Sequence, residues 1–170
     1  MTCEPPAASG LDQRRVETAD FKDAYRAPLT QPDQGMVEVF AAVFGHSPLV
    51  VKLVLIARNA VARFCGLEVP TVAQIMRPVI RGPYSVGDRI GPWPIFAIND
   101  SEIIAGRDNR HMDFRLSVLK QGEEGAASIT VSTICNAHNL AGTLYLFYIV
   151  PFHRVGVQRL IANAVVAKRL

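Results

Sequence analysis

Cysteines are scarce in this chain: Cys3, Cys65 and Cys135 are odd in number and widely separated. They offer neither a disulfide framework nor paired metal-ligand spacing, and a reducing, cytoplasmic setting is expected. Long apolar runs are also missing. The longest, Leu144 to Val150, holds seven residues, whereas a helix that spans a bilayer needs about 20. No membrane crossing is expected. The first twenty residues carry Glu4, Asp12, Arg14 and Arg15 without an apolar core segment, so they do not read as a signal peptide. HxxxH, HxH, CxxC and HExxH are absent, and Asp20, Asp23, Asp88 and Asp108 are too dispersed for an oxygen cage, so no metal site is expected. There is no GxSxG elbow. Gly82, Gly87 and Gly91 are separated by prolines with no strand-to-helix step after them, which argues against a phosphate loop and leaves no cofactor implied.

What is present points to a folded domain. Apolar residues make up 49% and charged residues 19% of 170, which excludes a disordered or low-complexity chain and fits one domain with a sizeable core. Residues 1–40 hold seven acids and four bases, and the remainder fourteen bases and eight acids, giving −3 and +6. The bases, among them Lys52, Arg58, Arg63, Arg77, Arg81 and Arg89, occur singly with no alternating aromatics, so a nucleic-acid platform is not expected.

Hydrophobic period divides the chain. Residues 1–18, with Pro5, Pro6 and Gly10 and few large apolar groups, read as a mobile arm, and residues 19–170 as the domain. A short edge strand is expected over Ala19 to Ala27. A helix opens after Pro32 and ends at Gly45. Ser47 and Pro48 suit the N-cap and first position of a second helix that Gly66 would close. Between them apolar residues cover most of the circumference and Lys52, Asn59 and Arg63 form one narrow polar strip, so this helix is expected to be largely buried. A proline- and glycine-rich passage follows, in which Tyr84 and Trp93 serve as packing anchors. The period then falls to two, predicting antiparallel strands over IFAIN, SEIIAG, RHMDFRLSVLK, ASITVSTICNAH and TLYLFYIV. Pro151 would stop the last of these, and helical spacing resumes from Phe152 to about Lys168.

This order, a strand, two helices, an antiparallel meander and a terminal helix, is that of an α+β helix-grip fold, a curved sheet wrapped around its last helix. The stretches LIARNAVARFCGL, VGDRIGPWPIF, GRDNRHMDFRLSVL and YLFYIVPFHRVGVQRLIANA resemble a domain-of-unknown-function family of the START-like, polyketide-cyclase-like (SRPBCC) superfamily. Some members of that family are fused to NAD-binding, reductase-like domains. The resemblance implies a cavity between sheet and helix for a small hydrophobic ligand, and a reductase-like partner acting in trans.

Candidates for the cavity lining are Phe114, Leu116, Val131, Cys135, Tyr148, Phe152, Gly156 and Leu160. Gly156 is unusual within a helix, which suggests either close approach to the sheet or room for a ligand. Cys65 and Cys135 are expected as inert, buried thiols. The histidines give weaker signals. His111 with Asp113 has the composition of a general acid–base pair, yet strand parity groups His111, Asp113 and Arg115 opposite the apolar row Met112, Phe114, Leu116 and Val118, as a polar ladder or subunit contact. His153 sits at the junction of strand and helix, where it can cap the helix or face the cavity mouth. A binding or carrier module for a small hydrophobic or amphipathic molecule is the leading expectation. A cyclase- or isomerase-like enzyme, and an assembly protein or homo-oligomer with a filled core, are the alternatives.

Overall fold

The computed structural model describes residues 1–64, 69, 71–76, 80, 82–122 and 126–170. Cys65 and Gly66, and so the expected C-cap of the second helix, lie outside the described residues. Seven strands form one antiparallel sheet: β1 (Thr2–Cys3), β2 (Phe21–Pro28), β3 (Arg89–Ile90), β4 (Trp93–Ile98), β5 (Glu102–Asp108), β6 (Met112–Gln121) and β7 (Ser128–Ala137). Their spatial order is β1-β2-β7-β6-β5-β4-β3. The sheet therefore holds the two long strands of the β6–β7 hairpin at its centre and returns to β2 on one side. Helices α1 (Gln13–Glu17), α2 (Met36–Phe44), α3 (Leu49–Phe64), α4 (Val72–Met76) and α5 (Leu140–Val166) complete the α+β architecture, with α5 gripped by the sheet as the order of elements implied.

Parity along the strands sorts the sheet into two faces. Tyr25, Ala105, Leu116, Val118, Ile129 and Val131 look inward, where they pack with Val39, Phe40 and Val43 of α2 and with Val157, Leu160, Ile161 and Ala164 of α5. Trp93 meets Phe40, Phe44 and Phe114 edge-on, at centroid separations of 6.2, 5.7 and 6.5 Å, so it anchors the proline-rich passage to the core as expected.

The structure revises four expectations. First, residues 1–18 are docked on the outer face of the sheet. Leu11 and Val16 pack with Ile104 and Ile134, and β1 pairs with β2. The buried Glu102 carboxylate accepts hydrogen bonds from Ser9 Oγ at 2.5 Å, Ser117 Oγ at 2.5 Å and the Gly10 amide at 2.7 Å. This segment is fastened by a charged hydrogen-bond cluster as well as by the packing of Leu11 and Val16, long-range contacts that composition does not reveal.

Second, because that segment covers the sheet, the polar row of β6 does not face solvent freely. Met112, Leu116 and Val118 are buried and Phe114 is partly so, but Arg115 and Ser117 across the strand are buried as well. Third, TLYLFYIV is the start of α5 and not a strand. Gly142, Tyr145, Leu146 and Ile149 are its buried positions, a three-four spacing that fits a helix, and the Asn139 side chain accepts the Gly142 amide at the N-cap. Pro151 lies inside the helix on its exposed side, where the carbonyl deprived of its partner belongs to exposed Phe147 and is open to water.

Fourth, α3 is turned relative to its expected burial. Asn59, from the polar strip, is buried, while Leu49, Leu53, Ala57 and Ala60 are exposed. Lys52 Nζ reaches the Met76 carbonyl of α4 at 2.9 Å. Lys52 and Asn59 thus turn toward the rest of the fold, while Arg63 of the same strip is exposed.

Candidate functional site

On β2 the inward row includes Phe21, Asp23 and Tyr25, and α5 lies across this strand. His153 projects from α5 on the same side as buried Ile149, Val157 and Leu160, since steps of three, four and seven residues return to nearly one azimuth. Its ring stands edge-on to Phe21, with centroids 5.5 Å apart at 86°. His153 Nε2 approaches Asp23 Oδ1 at 3.4 Å, while the Tyr25 hydroxyl donates to Asp23 Oδ2 at 3.0 Å. One buried carboxylate therefore carries a phenol on one oxygen and an imidazole on the other.

This chain borders a cavity of about 310 Å³ at the seam of β1, β2 and α5, lined in part by Thr2, Cys3, Asp23, Tyr25, Arg154 and Gln158. At its rim Lys22 Nζ lies 3.8 Å from Glu4 Oε2, and the Arg154 guanidinium lies 5.6 Å from the Phe21 ring centroid. The lining holds two bases, Lys22 and Arg154, and two acids, Glu4 and Asp23, so its formal charge is balanced.

Burial pushes the Tyr25 phenol above its ordinary pKa. A hydrogen bond from Gln158 opposes that shift, and the nearby Asp23 charge adds to it. Tyr25 is accordingly a neutral donor at physiological pH. Burial likewise raises the Cys3 thiol, with the N-terminal ammonium and Arg26 opposing, so Cys3 lines the cavity as a thiol and not as a thiolate nucleophile. Thr133, paired with Asp23 across β2 and β7, buries a hydroxyl that has no hydrogen-bond partner among the described residues.

The alternative acid–base pair of His111 with Asp113 does not form, and both take other partners. Arg110 Nε donates to His111 Nε2 at 2.8 Å, and His111 Nδ1 faces Asn139 Oδ1 at 3.1 Å. Through these contacts the His111 ring ties its turn to the N-cap of α5. Asp113 instead meets His138 at 3.0 Å and Arg15 of α1 at 3.6 Å. Beside it, Arg115 grips Asp108 with both terminal nitrogens and lies 3.6 Å above the Phe96 ring centroid. The Arg115 hydrogen bond holds the Asp108 carboxyl below its usual range against a smaller opposing effect of burial. These contacts fasten the docked N-terminal segment and the outer face of the sheet.

The residues expected to line a cavity divide into three groups. Leu116, Val131 and Leu160 pack in the main core, with Phe114 against it, and Cys135 packs with Phe21, Met112 and Tyr145. Tyr148 and Phe152 lie on the exposed side of α5, stacked on each other with centroids 5.5 Å apart; Tyr148 was assigned to a strand, and helical geometry rotates it away from the sheet. Gly156 makes no close approach among the described residues, since a Cβ there would meet none of their atoms within 4 Å.

Of the expected candidates, only His153 belongs to the site. Asp23 and Tyr25 were missed because the alternation in ADFKDAYRA suggested an edge strand, whereas β2 lies between β1 and β7, and alternation does not show which side meets a distant helix. The signal available was an acidic residue on the same parity as Phe21 and Tyr25.

A family model described as "Protein of unknown function (DUF2867)" matches residues 15–160. No curated protein and no solved structure matches the chain.

Proposed function

The chain belongs to the DUF2867 family, and from its geometry we propose that it binds a small amphipathic molecule in the cleft between β2 and α5. The observation that carries this reading is the convergence of buried Asp23 and Tyr25 with the exposed Gln158 on one cavity of about 310 Å³, a volume at the lower end of the range that encloses small molecules. The balanced charge of the lining favours a neutral or zwitterionic polar head, oriented by the carboxylate and by the Gln158 amide. The START-like resemblance supports the same location, between sheet and terminal helix, and makes a reductase-like protein in trans a proposed user of the bound molecule.

The contact between Asp23 and His153 favours a second reading, a cyclase- or isomerase-like proton transfer. A carboxylate beside an imidazole fixes the orientation of the ring, and the half-buried His153 side chain is partly open to solvent. Native mass spectrometry of the purified protein, followed by extraction of bound small molecules, tests the primary reading. A bound species is expected for the wild type and is expected to be lost in Asp23→Asn and Gln158→Leu. Retention of the same species by both variants would sink the assignment to this cleft. If Asp23→Asn binds and His153→Gln binds but neither converts the molecule that the wild type converts, the catalytic reading takes precedence.

A further inference from the structure

The solvent face of α5 is the largest feature that the cleft does not use. Leu140, Leu144, Phe147, Tyr148, Phe152 and Val155 are all exposed, Phe147 to 84% and Leu140 to 72%. At 100° per residue they occupy an arc of about 140° running along four turns, opposite the face that buries Gly142, Tyr145, Leu146 and Ile149 on the sheet. Neighbouring α3, which touches α5, adds Leu49 and Leu53 as exposed groups. An isolated exposed leucine is ordinary, but a continuous row of leucine, phenylalanine, tyrosine and valine is the mark of a surface that is covered in use.

Charge identifies what covers it. Over their 16 and 27 residues, α3 and α5 contain no aspartate or glutamate and five bases: Lys52, Arg58, Arg63, Arg154 and Arg159. About four of the chain's 15 acids would fall there if they were spread evenly. By length and composition α5 could cross a bilayer, but its inner face is committed to the sheet, so it can only lie in the plane of a surface. A second copy of the chain would bring the same bases to the contact and no acid on either helix to answer them. An anionic lipid surface supplies both an apolar layer for the exposed row and negative headgroups for the bases.

We propose that the protein docks on anionic membrane surfaces through the exposed face of α5 with α3 beside it. The proposal stands independently of the ligand reading, because the residues it uses do not line the cleft apart from Arg154 at its border. The test is co-sedimentation of the full chain with vesicles of phosphatidylcholine alone or containing 30% phosphatidylglycerol, over a salt series, with Phe147→Glu and Leu144→Glu compared. Binding is expected for the anionic vesicles, at least tenfold weaker for neutral vesicles, weakening as salt rises, and reduced at least tenfold by either variant. Both substituted side chains are exposed, and an unchanged melting temperature would show that the variants remain folded. Absence of binding to anionic vesicles, or equal binding by wild type and variants, overturns the proposal. So does a wild-type dimer that Phe147→Glu converts to monomers without any vesicle binding, which would assign the face to a second copy.

Discussion

Replacing Gly156 by alanine is expected to stabilise the protein, and the size of the effect follows from two features of its surroundings. Gly156 lies well inside α5, ten residues before its last helical position, and a Cβ there would find no atom of the described residues within 4 Å. Glycine within a helix costs about 0.8–1 kcal/mol relative to alanine, largely because the unfolded chain is freer. With no steric opposition, Gly156→Ala should recover most of that, raising the melting temperature by about 2–4 °C for a chain of this size. Gly142, in the first turn of the same helix, is the internal contrast. A Cβ there would run into the His111 backbone carbonyl and meet the Ala137 side chain at 3.3 Å. A backbone oxygen cannot swing aside, so α5 must lift from the β6 turn and strain the Asn139 cap. Gly142→Ala should therefore lose about 1–3 kcal/mol, the usual range for an overpacked site. Urea denaturation followed by Trp93 fluorescence and far-ultraviolet circular dichroism measures both. A destabilised Gly156→Ala would show that the space is needed, and a neutral Gly142→Ala would show that α5 does not approach the sheet as described. A Gly156→Ala protein that is more stable yet binds its molecule more weakly would place the ligand against that side of the helix.

Leu160 is buried in the main core beside Val157, Ile161 and Ala164, so Leu160→Ala should cost about 2–5 kcal/mol; a loss below about 1 kcal/mol in the urea midpoint would mean that the side chain faces open space. Glu102→Ala should strand the two buried hydroxyls of Ser9 and Ser117, at about 1–3 kcal/mol for each that water cannot reach, and leave the exposed Gly10 without its carboxylate acceptor. It should also release the N-terminal segment, which faster tryptic cleavage after Arg14 and Arg15 would report; an unchanged cleavage rate refutes the fastening role. Tyr25 gives a pH signature. Because its folded pKa lies above the unfolded value, its contribution is complete below about pH 10 and is lost as pH rises through the higher folded value. Of the four tyrosines, Tyr25 should therefore ionise late in an absorbance titration at alkaline pH, and Tyr25→Phe should remove that late component. A wild-type curve identical to that of Tyr25→Phe after allowing for one ordinary tyrosine would refute the buried phenol.

Local pattern was enough for the architecture. The two-residue period from Ile95 to Ala137 placed four strands, the spacing around Phe40 and Val43 placed α2, and the helical spacing after Phe152 placed the end of α5. These succeeded because each is set by which neighbours along the chain share a face. The stretch Thr143 to Val150 misled because leucine, tyrosine and phenylalanine are rich enough in every register to satisfy either period, and only packing Tyr145, Leu146 and Ile149 onto Phe21 and Met112 selects the helix. Pro151 then marks an exposed position in that helix and not its start.

What tertiary structure alone decided is which faces meet. His153 is brought to Asp23 and Tyr25, 130 and 128 residues away in the sequence, by the docking of α5 on β2. Asp113 chooses His138 over its near neighbour His111, because strand pairing and the covering N-terminal segment set that choice. α3 shows the same limit: its amino acids establish an apolar surface and a polar strip, but not which of them turns inward. A side chain's periodicity records its own element's geometry, whereas burial and ionisation depend on what another element, distant in the chain, places against it.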